Sequence, residues 1–441
     1  MLMHSTQPRS RRHAGRRYIT PLSPIGLALI SYMFFVICTL IPPGVYESIM
    51  REPNRIFLDP ASYLLVTASV LSFILGAWLL RSSIRRTSPT FISLPLGRGA
   101  LLVPLLTAVM LNLMSVSIFL KNNPTLMTAW LIDAAAAKND LDTTGGLAEA
   151  LPLLFGVCWW ALWRLLEREA WLGKADWPLR AVLWISFIFA LVTALMKVAR
   201  YDLMPGLLGF ILVYIVFRYR YTGIQLRRYV SLLMQAGLVL LSLFLLMSWL
   251  RGNSTQSDMV NNVMGYTVAS YNRLAAVLSG EIQYPYSGSG TYTLRFLDHI
   301  PLLHRWIDTG AMFNMPDSVD VWISEFQSVY QAGLDGSYIW ASAFGYVYAD
   351  IGLFALIYFF ILGVLAGWLW RSILNSRSIG VVVYPWFAFS ILFWFGSNFV
   401  AYPRLVTFTA AGVLLHAYEW LARIKKGRAV AYTRAWRTSD A

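Results

Sequence analysis

"AVLWISFIFALVTALMKVARYDLMPGLLGFILVYIVF", residues 181–217, holds two apolar runs parted by one short charged stretch, "LMKVARYDLMPG" at 195–206. A helix needs about 20 apolar residues to cross a hydrocarbon core of roughly 30 Å. Each run comes close to that length. Lys197, Arg200 and Asp202 stand between them, followed by Pro205 and Gly206. The stretch reads as two membrane helices joined by a tight turn, which makes the chain a polytopic membrane protein.

The composition agrees. Of 441 residues, 57% are hydrophobic, and the mean hydropathy is +0.56. A soluble domain rarely exceeds about half apolar. Apolar runs predict about ten spans, near 22–41, 61–80, 100–119, 148–166, 180–197, 203–219, 229–250, 338–370, 380–397 and 404–421. The expected fold is an all-α polytopic integral membrane protein. It divides into a basic tail (1–21), helices one to seven (22–250), one large loop (251–337), helices eight to ten (338–421) and a second basic tail (422–441). The tail stretch "RSRRHAGRR" leads into a full-length span with no small-residue cleavage site, so it reads as a cytoplasmic tail and not a removed leader. Cys38 and Cys158 fall inside spans and lack metal-ligand spacing.

Charge sets the expected orientation. With the N-terminus in the cytoplasm, 25 of the 36 Lys and Arg fall on the cytoplasmic side and 11 on the other. Long loops are largely exempt from the positive-inside rule; without the 251–337 loop the outer side holds only 7. Both termini are therefore expected in the cytoplasm. The net charge of +14 reads as topological, holding loops against anionic lipid, and not as a nucleic-acid footprint. The 195–206 turn and Arg404 then face outward, where topology does not place cations.

The 251–337 loop carries 4 Arg, no Lys and 8 carboxylates. "YNRLAAVLSGEI" has helical spacing, and "YPYSGSGTYT" is a turn region. A loop of this length and content folds onto its membrane domain and carries function. No Walker motif or GxGxxG follows a strand-like segment, which argues against cytoplasmic ATP or a nucleotide sugar as substrate.

Arg suits phosphate because its planar fork donates two parallel hydrogen bonds. Arg200 and Arg404, at outer span ends, are read as anion-binding; Lys197 fits that role or plain snorkelling to headgroups. Asp298, His299, Asp317, Asp320 and Glu325 are candidate bases for an attacking hydroxyl. His299 and His304 lie five apart, which is not a helix-face metal pair, and no metal or other cofactor is expected. Asp350, in "AFGYVYADIGLFALIYFF", is an intramembrane carboxylate: either functional or a charge favoured by a helix dipole. "GVLAG" at 363–367 is a GxxxG packing contact. The loop aromatics Tyr284, Tyr286, Tyr292, Trp306 and Trp322 could stack on sugars.

The stretch "GSYIWASAFGYVYADIGLFALIYFFILGVLAGWLWRS", 336–372, resembles the late signature of bacterial oligosaccharide repeat-unit polymerases, the Wzy-type O-antigen and exopolysaccharide enzymes. "LMKVARYDLMPGLLGFILVY" and "NFVAYPRLVTFTAAGVLL" are similar to that family's Arg-containing break and Arg-opened late span, and "SYNRLAAVLSGEI" to a helix early in its loop. The resemblance implies a GT-C-like glycosyltransferase in the bacterial inner membrane. It would join undecaprenyl-pyrophosphate-linked repeat units on the periplasmic face, with a chain-length regulator and a flippase as partners. It further implies that Arg200 and Arg404, with Lys197 beside them and Arg273 or Arg295 from the loop, meet the pyrophosphate, and that Asp298, His299, Glu325 or Asp350 is the base. Three other readings stand: an O-antigen ligase; a transporter or flippase of lipid-linked glycans, which usually shows internal repeats; and an interaction subunit of an export complex, with no chemistry of its own.

Overall fold

The computed structural model describes residues 20–80, 95–124, 147–196, 200–222, 256–298, 300, 303 and 306–439, with scattered positions between 231 and 245. The described residues are helical, with no strand among them. The first are α1 (Pro24–Thr39), α2 (Pro43–Met50), α3 (Pro60–Leu79), α4 (Arg98–Asn122), α5 (Leu147–Leu172), α6 (Trp177–Met196) and α7 (Arg200–Thr222). The large insert holds α8 (Gln256–Tyr266), α9 (Val268–Leu278), a 3-10 turn (Arg295–Leu297), α10 (Thr309–Met312) and α11 (Ser318–Gln331). Last come α12 (Ser342–Ile351), α13 (Ala355–Leu374), α14 (Ser378–Leu392) and α15 (Arg404–Ser439).

Local chemistry starts the helices. Pro24 and Pro60 occupy first-turn positions, where a missing N–H costs nothing. Ser23 and Asp59 precede them as caps, accepting from Gly26 N (3.2 Å) and Ser62 N (2.8 Å).

Among the described residues seven helices are long and apolar enough to cross a membrane, eight if α1 and α2, bent by 90°, form one span. The chain is thus a membrane-embedded helical protein. Two of the ten expected spans are not in that count. The one at 229–250 falls largely outside the described residues. The one at 380–397 contains α14, only 15 residues long. α14 is buried on all sides from Gly380 to Ile391, so it runs through the middle of the bundle against α1, α5, α7, α13 and α15. The expected long eighth span is present as Ser342–Leu374, with a 3-10 turn at Gly352–Phe354 (Gly352 φ +58) between α12 and α13.

α3 and α13 make the closest approach. A Cβ on Gly363 would overlap the Phe73 carbonyl oxygen, and one on Gly76 would overlap that of Phe360. The 363–367 GxxxG is a packing contact, as its spacing suggested. Cys38 and Cys158 are buried thiols.

Buried charges lock distant helices together. Arg164 of α5 donates through Nε (2.5 Å) and Nη2 (2.7 Å) to Glu419 of α15, and through Nη1 to Glu167 (2.6 Å). Near the other end of α15, Arg404 pairs with Asp202 of α7. Arg273 of α9 is fully buried and bidentate to Glu52: Nη1 to Oε1 at 2.8 Å and Nη2 to Oε2 at 2.9 Å. Its remaining bonds reach the carbonyls of Ala269 (2.9 Å) and Asp335 (2.8 Å), and Glu52 also accepts from Asp335 N (2.7 Å). This pair fastens the insert to the segment after α2. It also bears on the expectation that Arg273 swings onto a pyrophosphate: the guanidinium is fully buried, and both of its terminal nitrogens are bonded inside the protein.

Removing one partner of such a pair strands the other charge, at a cost of about 3–5 kcal/mol, whereas replacing both with apolar groups is often near neutral. Arg273→Ala is therefore expected to lower stability by about that amount. Glu52→Leu with Arg273→Met should recover most of it, as read by thermal unfolding in detergent.

Candidate functional site

The candidate site lies where the insert meets α12 and the starts of α7 and α15. It is organised by Asp350, in the last turn of α12. Its Oδ1 accepts from the backbone N–H of Gly288 (3.1 Å) and Gly290 (3.0 Å). Its Oδ2 accepts from the N–H of Tyr292 (3.2 Å) and Thr293 (3.0 Å) and from Thr293 Oγ1 (2.6 Å). The "SGSGTYT" turn can aim so many N–H groups inward because Gly288 (φ +83) and Gly290 (φ +82) adopt left-handed backbone, which favours glycine. Five donors on two oxygens fix the Asp350 carboxylate against the turn.

Beyond the turn lies a tyrosine stack. Tyr346 is one helical turn before Asp350, so both leave the same face of α12. Its ring stacks on Tyr284 (5.6 Å between centroids) and Tyr292 (5.0 Å). Its hydroxyl donates to Ile339 O (3.2 Å) and to Glu325 Oε2 (3.3 Å). Glu325 comes from the inner face of α11 and is only 4% exposed. Burial pushes its carboxyl up to about 7, against the opposing pull of Arg295 and the Tyr346 hydrogen bond. Burial likewise raises the phenols of Tyr284 and Tyr292, and the Glu325 charge raises them further. The Tyr292 hydroxyl is buried without a hydrogen-bond partner among the described residues. Asn398 closes the cluster, donating to Tyr292 O (2.8 Å) and Tyr358 Oη (2.8 Å).

Two of the expected cations reach this place. The Arg295 guanidinium lies 5.1 Å over the ring of Tyr402, a cation–π contact. Two residues on, Arg404 opens α15 and meets Asp202. Asp202 belongs to the 195–206 stretch, so that stretch and Arg404 are partners. Arg200 begins α7, but its side chain, all of Lys197 and all of His299 lie outside the described residues.

The other loop acids do local work. Asp317 caps α11 at Val319 N (2.7 Å), and Asp308 caps α10 at Ala311 N (2.9 Å). Asp320 is exposed on the first turn of α11. Asp298 is half-buried, and its carbonyl accepts from Thr309 Oγ1 (3.0 Å). Trp306 and Trp322 are exposed, while Tyr284 and Tyr292 are used in the stack. Among the described residues no three His, Cys, Asp or Glu side chains gather to hold a metal.

Sequence reasoning missed Tyr346, Asn398, Tyr402 and Glu52. Tyr346 could have been found, since Tyr346 and Asp350 stand four apart in "YVYAD". Tyr402 lies beside the flagged Arg404. Nothing local marks Glu52 or Asn398.

What the arrangement offers is a buried carboxylate poised to exchange a proton near neutrality, within electrostatic reach of the Arg295 guanidinium. A raised carboxyl pKa makes the folded state hold its proton longer than the unfolded chain does. The associated stability is full below about pH 4.5 and is lost as pH rises through about 7. The loss amounts to about 3 kcal/mol. Glu325→Gln is expected to remove this dependence, flattening the melting temperature between pH 5 and 8.5 where wild type falls.

No protein-family model matches the chain, and neither a curated relative nor a solved structure matches it.

Proposed function

We propose that the protein is a membrane glycosyltransferase that joins oligosaccharide repeat units carried on undecaprenyl pyrophosphate, working on the periplasmic face of a bacterial inner membrane. The observation that carries this reading is the grouping of Glu325, Arg295 and Arg404 at one end of the bundle, under the large insert. Long apolar helices around that end suit a substrate with a lipid tail.

In this reading Glu325 is the general base. Burial holds its pKa near the working pH, where a base is most effective. It takes the proton of an acceptor hydroxyl as that oxygen bonds to the donor's anomeric carbon. The bond from that carbon to the pyrophosphate oxygen breaks, and undecaprenyl pyrophosphate departs with the electron pair. Charge grows on the leaving oxygen, and preorganised cations lower the barrier there. Arg295, held on Tyr402, and Arg404, oriented by Asp202, supply them, with Arg200 at the same end of α7. Asp350 keeps the turn that carries Tyr292 and leads to Arg295 in register. A chain-length regulator and a flippase would be the natural partners.

The test is mass analysis of lipid-linked glycans in a deletion strain of the source organism, complemented with wild type, Glu325→Gln or Arg404→Ala. The deletion strain should accumulate single repeat units on the carrier. Loss of the base should cut polymer by about 10²–10⁴-fold, and loss of Arg404 by about 10²–10³-fold, at normal protein level. Turnover in membranes should rise with pH through about 7, as Glu325 ionises. Long polymer left on the carrier would replace the reading by a ligase or an exporter. An unchanged glycan profile would end it.

A further inference from the structure

Two stretches of the insert leave large apolar side chains uncovered: one face of α11, with Val319, Trp322, Ile323 and Tyr330, and a short segment just before it in the chain that lies beside α15. Leu303, Trp306, Ile307, Met312 and Phe313 are all exposed, Trp306 by 83% and Met312 by 68%. None of them joins the insert's own core, which is built from Ala276, Tyr284, Val321, Val329 and their neighbours. Soluble surfaces seldom gather so many large apolar groups unless something covers them.

The segment is fastened at a definite place. Thr309 Oγ1 donates to Asp298 O (3.0 Å) and accepts from Ile300 N (3.3 Å), while Met315 N donates to Gly310 O (2.8 Å). These bonds tie α10 to the 295–297 turn. That turn rests on α15: Phe296 shares an apolar cleft with Leu405, Val406 and Thr409, the first turns of a membrane-spanning helix. The exposed segment therefore leaves the protein at the depth where α15 enters lipid. Below it, Val413 and Leu414 of α15 are exposed too, so the apolar surface is continuous with the lipid-facing side of the bundle. The residue types fit such a place, with Trp at headgroup level and aliphatic or Met side chains reaching below it.

We propose that the segment 306–313, with Leu303 before it, forms an interfacial anchor, inserted into the lipid surface beside α15, that seats the large insert on the membrane. A lipid surface is the occupant favoured over a second protein because the patch continues a surface that lipid already covers. The inference does not depend on the glycosyltransferase reading and survives its failure.

The experiment is site-directed spin labelling of the full chain in phosphatidylethanolamine–phosphatidylglycerol nanodiscs. Cys38 and Cys158 are buried, so the label reports the introduced thiol. Labels at Trp306→Cys and Met312→Cys should collide with oxygen severalfold more than with an aqueous nickel chelate. A label at Gln283→Cys, exposed elsewhere on the insert, should show the reverse. All three sites are exposed, so the variants should fold. Nickel accessibility at 306 and 312 equal to that at 283 would overturn the proposal. So would dipolar broadening between labels on two chains, which would show a second copy covering the patch.

Discussion

Asp350 carries the constraint on which the insert-bearing end of the molecule depends. A carboxylate at the end of a membrane helix cannot be left to hydrocarbon, where an unsatisfied polar group costs several kcal/mol. Here the chain answers it with its own backbone. Four N–H groups and one hydroxyl of the 288–293 turn converge on the two oxygens. The same bonds settle where that turn goes. Tyr292 is thereby delivered into the stack with Tyr346, and Arg295 is delivered to Tyr402. Two glycines with left-handed backbone make the turn possible, so the requirement reaches from a helix end into an otherwise irregular loop.

Glu325 shows the opposite treatment of a buried acid. Glu52 and Glu419 each face an arginine at hydrogen-bond distance, and both stay compensated. Glu325 receives one long hydrogen bond from a phenol and a more remote cation. The difference in partners separates a group that holds helices together from one that can take and return a proton. Groups of the second kind cluster at functional sites because chemistry needs a carboxyl that is not already answered.

Much of the membrane architecture was legible because it depends on local properties. Length of apolar run, proline at helix starts and small residues at a close crossing are written in consecutive positions, and α1, α3, α4, α6 and α13 follow from them. α14 is the exception: it is apolar throughout, but only 15 residues of the run form its helix before the chain turns at Phe399–Ala401. The site was legible in its ingredients and not in its pairings. Arg404 and Asp202 both stood in flagged stretches, yet no periodicity links α7 to α15. Arg273 looked like a loop cation with a substrate to meet, because Glu52, its partner, lies more than 200 residues earlier. Glu325 was one of several candidate acids until burial distinguished it. Its neighbours Asp317 and Asp320, on the first turn of the same helix, are a cap and an exposed charge.

The ion pairs have a consequence for how the chain is made. Glu52, Arg164 and Asp202 leave the ribosome long before Arg273, Glu419 and Arg404. Until α9 arrives the nascent protein holds only half of the Glu52–Arg273 pair, and until α15 arrives only half of the other two. Arg164 has a local stopgap in Glu167, one turn away. Asp202 and Glu52 must wait, near the headgroups or sheltered by the insertion machinery. A chain that stops before α15 is thus a distinct chemical object, with uncompensated charge at both ends of the bundle. Completion of the final helix is what answers the last of these buried charges.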